Sequence, residues 1–217
     1  MSGILVGNLS APIITEEGVD VLSHITDSVR IDFITEAQHS QGVNRQAKEG
    51  EKSMAVAEDL ALLKKIDACY HQLTGEGLYC PADVEDRYLW LHEQAPYSIL
   101  AHGRGPDPIF MYANHCALHC FKYSREEMLQ LPSRLSAGPS DRAARQVLLD
   151  TVTRDGIAKN YTGPRVDQQG NSFIIYDGEV WQLGRDSGDL WGQAALFWPV
   201  PRPPLGDPIL GVPVIKI

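Results

Sequence analysis

Residues 157–198 read IAKNYTGPRVDQQGNSFIIYDGEVWQLGRDSGDLWGQAALFW. Over this stretch apolar and polar residues alternate with a period of two, the spacing of half-buried strands. Asp167 to Gly170 breaks the first run from the second, with a glycine where a turn needs a positive φ. Gly184 to Asp189 breaks the second from the third. Three consecutive strands over 157–166, 172–183 and 190–198, joined by short turns, make an antiparallel meander.

Upstream of the meander lie two further strand-like runs, Tyr97–His102 and Ile109–Ala113, separated by Gly103, Gly105 and Pro106. Helical patterns follow over 114–121 and from Ser124, whose hydroxyl and the Glu127 carboxylate form a capping box. A longer helix spans 141–155, with Ala144, Val147, Leu148, Thr151 and Val152 on its buried side and Gly156 as its stop. Two strands, several helices and three strands describe an α+β domain: a five-stranded antiparallel sheet with helices on one face. Helices precede it. Leu60, Leu63, Ile66, Tyr70 and Leu73 form a stripe at spacings of three and four that stops at Gly75, and 84–94 reads as a second helix ended by Pro96.

The flanks read differently. In residues 1–56 a short helix capped by Thr15 is expected, followed by a polar tract over 38–53 with the composition of a linker. Residues 199–217 are crowded with prolines and predict an extended arm. The folding unit is expected over 57–198.

The chain has 217 residues, 43% of them hydrophobic and 22% charged, as ordinary globular domains do. Its net charge of −9 argues against a nucleic-acid partner. No run approaches the roughly 18 apolar residues of a membrane span. The start lacks the basic and apolar regions of a secretory signal, and the four cysteines form no CxxC pair, so free thiols and a cytoplasmic location are expected.

Three segments, DPIFMYANHCALHCFKYSREEMLQLPSRLSAGPSDR, NYTGPRVDQQGNSFIIYDGEVWQL and GQAALF, together resemble the MEKHLA domain family, a relative of PAS domains. The upstream helix EDLALLKKIDACYHQLTGEGL is similar to that family's opening helix, although the name-giving motif is degenerate here (Val56 to Ala61). The resemblance covers 57–197. It implies a PAS-like fold and, by analogy, sensing or interaction rather than catalysis. The expected role is a sensory or small-molecule-binding domain that acts through a partner. The alternative is an interaction or dimerisation module, binding a protein or a second copy, whose pocket is filled by its own side chains.

The cluster His115, Cys116, His119 and Cys120 places imidazoles and thiols on adjacent faces of one helix, the residue types that suit zinc. It lacks the glutamate of a metalloprotease helix and a second ligand pair, so helix packing and no metal are expected. PSRLSAGPSDR resembles the flavin-facing segment of light-sensing relatives. Its adduct-forming cysteine would fall at Ser133, whose hydroxyl is too weak a nucleophile for that step. No cofactor is therefore expected, with non-covalent flavin, or haem on His115 or His119, as alternatives. No nucleophile elbow or phosphate loop is present.

Within a PAS-like sheet, alternation puts Phe173, Ile175, Asp177 and Glu179 on one face of the fourth strand. Ile174, Tyr176 and Val180 form the other set, expected on the helix-covered side. The polar lining of a ligand pocket is expected from Tyr112, Asn114, Arg134, Tyr176 and Gln193.

Overall fold

The computed structural model describes residues 21–138, 142–184 and 188–202, with helix side chains from residue 48 and, in the fifth helix, from residue 147. The expected Thr15 cap and most of the proline-rich arm lie outside the described residues. Contacts group the chain into two units, Met1–Ser53 and Met54–Ile217. Helix α1 is Val21–Thr74, and its residues up to Ser53 belong to the first unit. The polar tract over 38–53 is thus helical rather than a linker. It contains no proline, and its Gln, Lys, Glu, Arg and Ala residues are good helix formers that outweigh its two glycines.

In the second unit the sheet contains β1 (Ser98–His102), β2 (Phe110–Ala113), β3 (Ile157–Val166), β4 (Ser172–Leu183) and β5 (Gly192–Trp198). Its order is β2-β1-β5-β4-β3, with every pair antiparallel. The meander supplies β3, β4 and β5, and β1 inserts beside β5 so that both terminal strands become central. Asp167 organises the β3–β4 turn: its carboxylate accepts hydrogen bonds from the Gln169 and Asn171 amides and pairs with Lys122 at 2.6 Å. The Lys122 ammonium, helped by Asn171, holds the Asp167 carboxyl down to about 2.

Helices α3 (His115–Phe121), α4 (Arg125–Met128) and α5 (Arg142–Asp155), with a 3-10 turn at Ser133–Ser136, form the α+β, PAS-like layer expected between β2 and β3. The Ser124–Glu127 capping box is present at the start of α4. Ala117, Phe121 and Met128 pack here against Leu100, Phe110, Ile175 and Phe197 of the inner sheet face. In α5 the buried side differs from expectation. Val147 is 68% exposed, whereas Val152 is fully buried and Leu148 and Leu149 are half-buried. The departure is confined to Val147, since Leu148, Thr151 and Val152 face inward as expected and the side chain of Ala144 lies outside the described residues.

The outer sheet face is covered as well. Leu63, Ile66 and Tyr70 from the end of α1, with Leu91 of α2 (Arg87–Glu93), pack on Ile99, Tyr112, Trp181, Leu183, Leu196 and Trp198. This is the predicted stripe, and full burial of Leu63 and Ile66 contributes about 2 kcal/mol each. Helix α2 starts three residues later than its apolar pattern suggests. Asp86 stands at its N-cap and accepts from the Tyr88 and Leu89 amides, and that geometry decides the boundary. Two buried carboxylates tie the end of α1 to the rest of the unit: Asp67 with Arg87 and the Leu78 amide, and Asp59 with Arg125.

Candidate ligand cavity

Strand β5 alternates cleanly. Ala194, Leu196 and Trp198 join the outer core, so Gln193, Ala195 and Phe197 face inward. Above them, between the inner face, the 3-10 turn and α5, is a cavity of about 80 Å³. Leu100, Phe121, Ile175 and Phe197 make its apolar wall, and Leu148 and Leu149 of α5 close over it.

Strands β3 and β4 reach the cavity through paired irregularities. Asn160 and Asp177 both have positive φ, 62° and 47°, a region that Asn and Asp tolerate better than most residues. The register shifts beside each, and Tyr161 comes to lie opposite Gly178. A Cβ at position 178 would stand 3.0 Å from the Tyr161 carbonyl oxygen, and one at position 163 would fall inside the Tyr161 phenol. The two glycines therefore let the Tyr161 ring lie flat across the strands as one wall of the cavity. Arg165 follows on the same face. Its guanidinium stacks 4.9 Å from the Tyr161 ring centroid and donates to the Tyr161 hydroxyl at 3.2 Å and the Pro164 carbonyl at 2.7 Å.

The bulge at Asp177 overturns the strict alternation expected for β4. Ile175 faces the cavity and Tyr176 the outer core, yet Val180 returns to the cavity side with Gly178. One extra residue shifts the parity of everything beyond it.

Of the five residues expected at a ligand, only Gln193 lines the cavity. Its amide has no hydrogen-bond partner among the described residues. Asn114 is the N-cap of α3 and is consumed by the backbone. Its Oδ1 accepts from the Ile99 and Ala117 amides, and its Nδ2 donates to the Leu91 and Tyr97 carbonyls, all at 2.9–3.1 Å. Tyr112 is fully buried in the outer core, with its hydroxyl 3.1 Å from His92 Nδ1. Tyr176 packs against the same core. Arg134 points to solvent and pairs with Asp107 at 2.9 Å. These four positions were assigned by strand parity and by nearness to the helices. The α3 cap takes Asn114 and the Asp107 carboxylate takes Arg134, while Tyr112 and Tyr176 lie on the outer side of their strands.

Sequence reasoning placed the segment holding Tyr161 and Arg165 in the sheet without assigning either to the lining. The spacing Tyr161, Gly163, Arg165 carries that information, since the three share one strand face.

In α3 His115 and the two thiols pack against neighbouring side chains, whereas His119 is exposed. The His115 ring lies 5.0 Å from that of His92, and burial followed by the neighbouring His115 pushes the His92 pKa down. The Ser98 hydroxyl lies within hydrogen-bond reach of both Cys116 and Cys120. Contact with Cys120, then burial, pushes the Cys116 thiol well above its usual range, which makes it a neutral packing group. Among the described residues no group of His, Cys, Asp and Glu could hold a metal ion. Neither His115 nor His119 lines the cavity; the histidine that does is His102, whose Nδ1 lies 2.8 Å from the Gly103 carbonyl. Among the described residues no helix is long and apolar enough to cross a membrane.

The family model described as "MEKHLA domain" matches residues 60–200. Among solved structures, the chain is similar to the PAS domain of a protein from Colwellia psychrerythraea, with 13% identity over 48% of this chain and 85% of that one and a TM-score of 0.42. It is also similar to the dark structure of the LOV domain of the blue-light photoreceptor Aureochrome1, with 19% identity over 58% of this chain and 88% of that one and a TM-score of 0.42. A comparison with curated proteins finds no match.

Proposed function

The chain belongs to the MEKHLA domain family of PAS-like sensory domains, and from that premise we propose that it senses a small molecule in the inner-face cavity and acts through a partner, without catalysis. One observation carries the reading. The Gln193 amide faces the cavity with no hydrogen-bond partner among the described residues, whereas the amide of Asn114 is fully bonded to the scaffold. An unpartnered, half-buried amide beside an open volume is where a ligand would add hydrogen bonds.

The ligand is small. Pockets for drug-sized molecules run from roughly 300 to 1,000 Å³, against about 80 Å³ here. A flavin does not fit this volume with Tyr161 flat across the strands, and the residue at position 133 is a serine. Occupancy of the cavity would be read by α5, because Leu148 and Leu149 form its cover. A partner, another protein or a second copy, would then register a displacement of that helix.

Tyr161 fills so much of the inner face that a second reading has specific support: an interaction module whose pocket its own side chains occupy. Xenon NMR on the full chain separates the two. Saturable shifts at the Ala195 and Ile175 methyls, abolished by the cavity-filling Ala195→Leu, are expected of the sensor. If the methyls do not respond to xenon, the cavity is closed and the interaction module is the function.

A further inference from the structure

We infer that the cavity takes a short-chain carboxylate of two to four carbons, its carboxylate paired to Arg165 and its apolar end against Leu100, Ile175 and Phe197, a proposal that rests on the cavity being a ligand site. Four observations point to this class. Arg165 lines the cavity, and its partners among the described residues are the neutral Tyr161 hydroxyl, the Tyr161 ring and the Pro164 carbonyl. Among the described residues no carboxylate pairs with it, although acidic side chains outnumber basic ones in the chain, 28 to 19. The other described arginine side chains without a carboxylate partner, Arg104 and Arg202, are exposed, whereas Arg165 is half-buried. Among the described residues no acidic side chain lines the cavity.

A half-buried guanidinium loses hydration that neutral acceptors restore only in part. A carboxylate restores it with two parallel charge-assisted hydrogen bonds, matched to the planar fork of arginine. The opposite wall is hydrocarbon, which suits an alkyl chain and disfavours a second charge. Gln193 supplies an adjustable donor and acceptor for a carboxylate oxygen or an α-substituent. Volume sets the length: a 150 Å³ apolar cavity accommodates benzene, so about 80 Å³ admits a molecule of roughly four to six non-hydrogen atoms. Affinity for so small a ligand is expected on the order of millimolar.

The test is an NMR titration of the full chain with acetate, propionate and butyrate, using propionamide as the neutral isostere and holding ionic strength constant with chloride. Propionate is expected to saturate with shifts at the Ala195 and Ile175 methyls, at least tenfold tighter than propionamide. Arg165→Gln should remove that advantage while leaving propionamide within twofold, and Arg165→Lys should retain part of it. If Arg165→Gln fails to fold, the Lys variant decides, because losing the fork while keeping the charge must still weaken propionate. Equal binding of propionate and propionamide, or an Arg165 variant that weakens both alike, overturns the inference. If xenon enters but no carboxylate does, this inference falls and the sensor reading stands. If neither enters, both fall.

Discussion

The two faces of the sheet differ in how their polar groups are partnered, although Trp181 Nε1 in the outer core is buried without a partner among the described residues. On the outer face Asn114, Tyr112, His92, Asp67 and Tyr70 are buried or half-buried, and each has a named partner. On the inner face Gln193 is without a partner and Arg165 without a counter-charge, beside a cavity. A fully satisfied network rigidifies a scaffold, and an unsatisfied one costs stability that a ligand can restore. The outer face is therefore the frame and the inner face the instrument.

That contrast breaks first at Asn114. Replacing it with Ala strands the Ile99 and Ala117 amides and the Leu91 and Tyr97 carbonyls, and the loss is expected to reach roughly 4 kcal/mol or more by chemical denaturation. A loss below about 1 kcal/mol would mean that the outer network is dispensable. Ile66→Ala, which opens a hole between α1 and the sheet, is expected to cost about 3 kcal/mol by the same measurement.

Acid sharpens the comparison. Burial and His115 depress the His92 pKa below its ordinary 6.5, so the unfolded chain binds the proton more readily than the folded one. The corresponding stability is fully present above pH 6.5 and is lost as pH falls through that value toward the depressed one. His92→Gln should flatten this part of a stability-versus-pH curve. Asp167 acts lower, its contribution being present above its usual 3.8 and lost as pH falls toward about 2, so Asp167→Asn should remove the lower inflection.

Smaller effects are expected where nothing is both buried and bonded. Gln193→Leu should leave stability within about 0.5 kcal/mol or raise it slightly, because it removes an unpartnered amide. Its signature would appear in ligand binding. Arg134→Ala, at a pair whose side chains are 60% and 46% exposed, should cost under 1 kcal/mol and leave ligand binding unchanged. A binding defect there would bring Arg134 back to the site.

Local chemistry made much of the molecule legible in the sequence. The stripe Leu63, Ile66, Tyr70, the Ser124–Glu127 capping box, the Asp167–Gly170 turn and the period-two meander each carry their signal within about fifteen residues, because side-chain spacing and cap geometry are short-range properties. Those signals determined an α+β domain with the strands in this order along the chain. They also placed Gln193 on the inward side of β5, where no bulge disturbs the alternation.

Tertiary structure alone decided the rest. Whether Asn114 binds a ligand or caps α3 depends on β1 and α2 arriving within 3 Å of its amide, and nothing near Asn114 in the chain encodes that meeting. That Val180 takes the opposite face from Tyr176 was settled by the bulge at Asp177, which forms only when β3 and β4 pair with Tyr161 opposite Gly178. In α5 the apolar pattern holds at Leu148, Thr151 and Val152 and fails at Val147, which faces water. Parity along a strand is a local rule, but a single extra residue resets it, and only the assembled sheet holds that information.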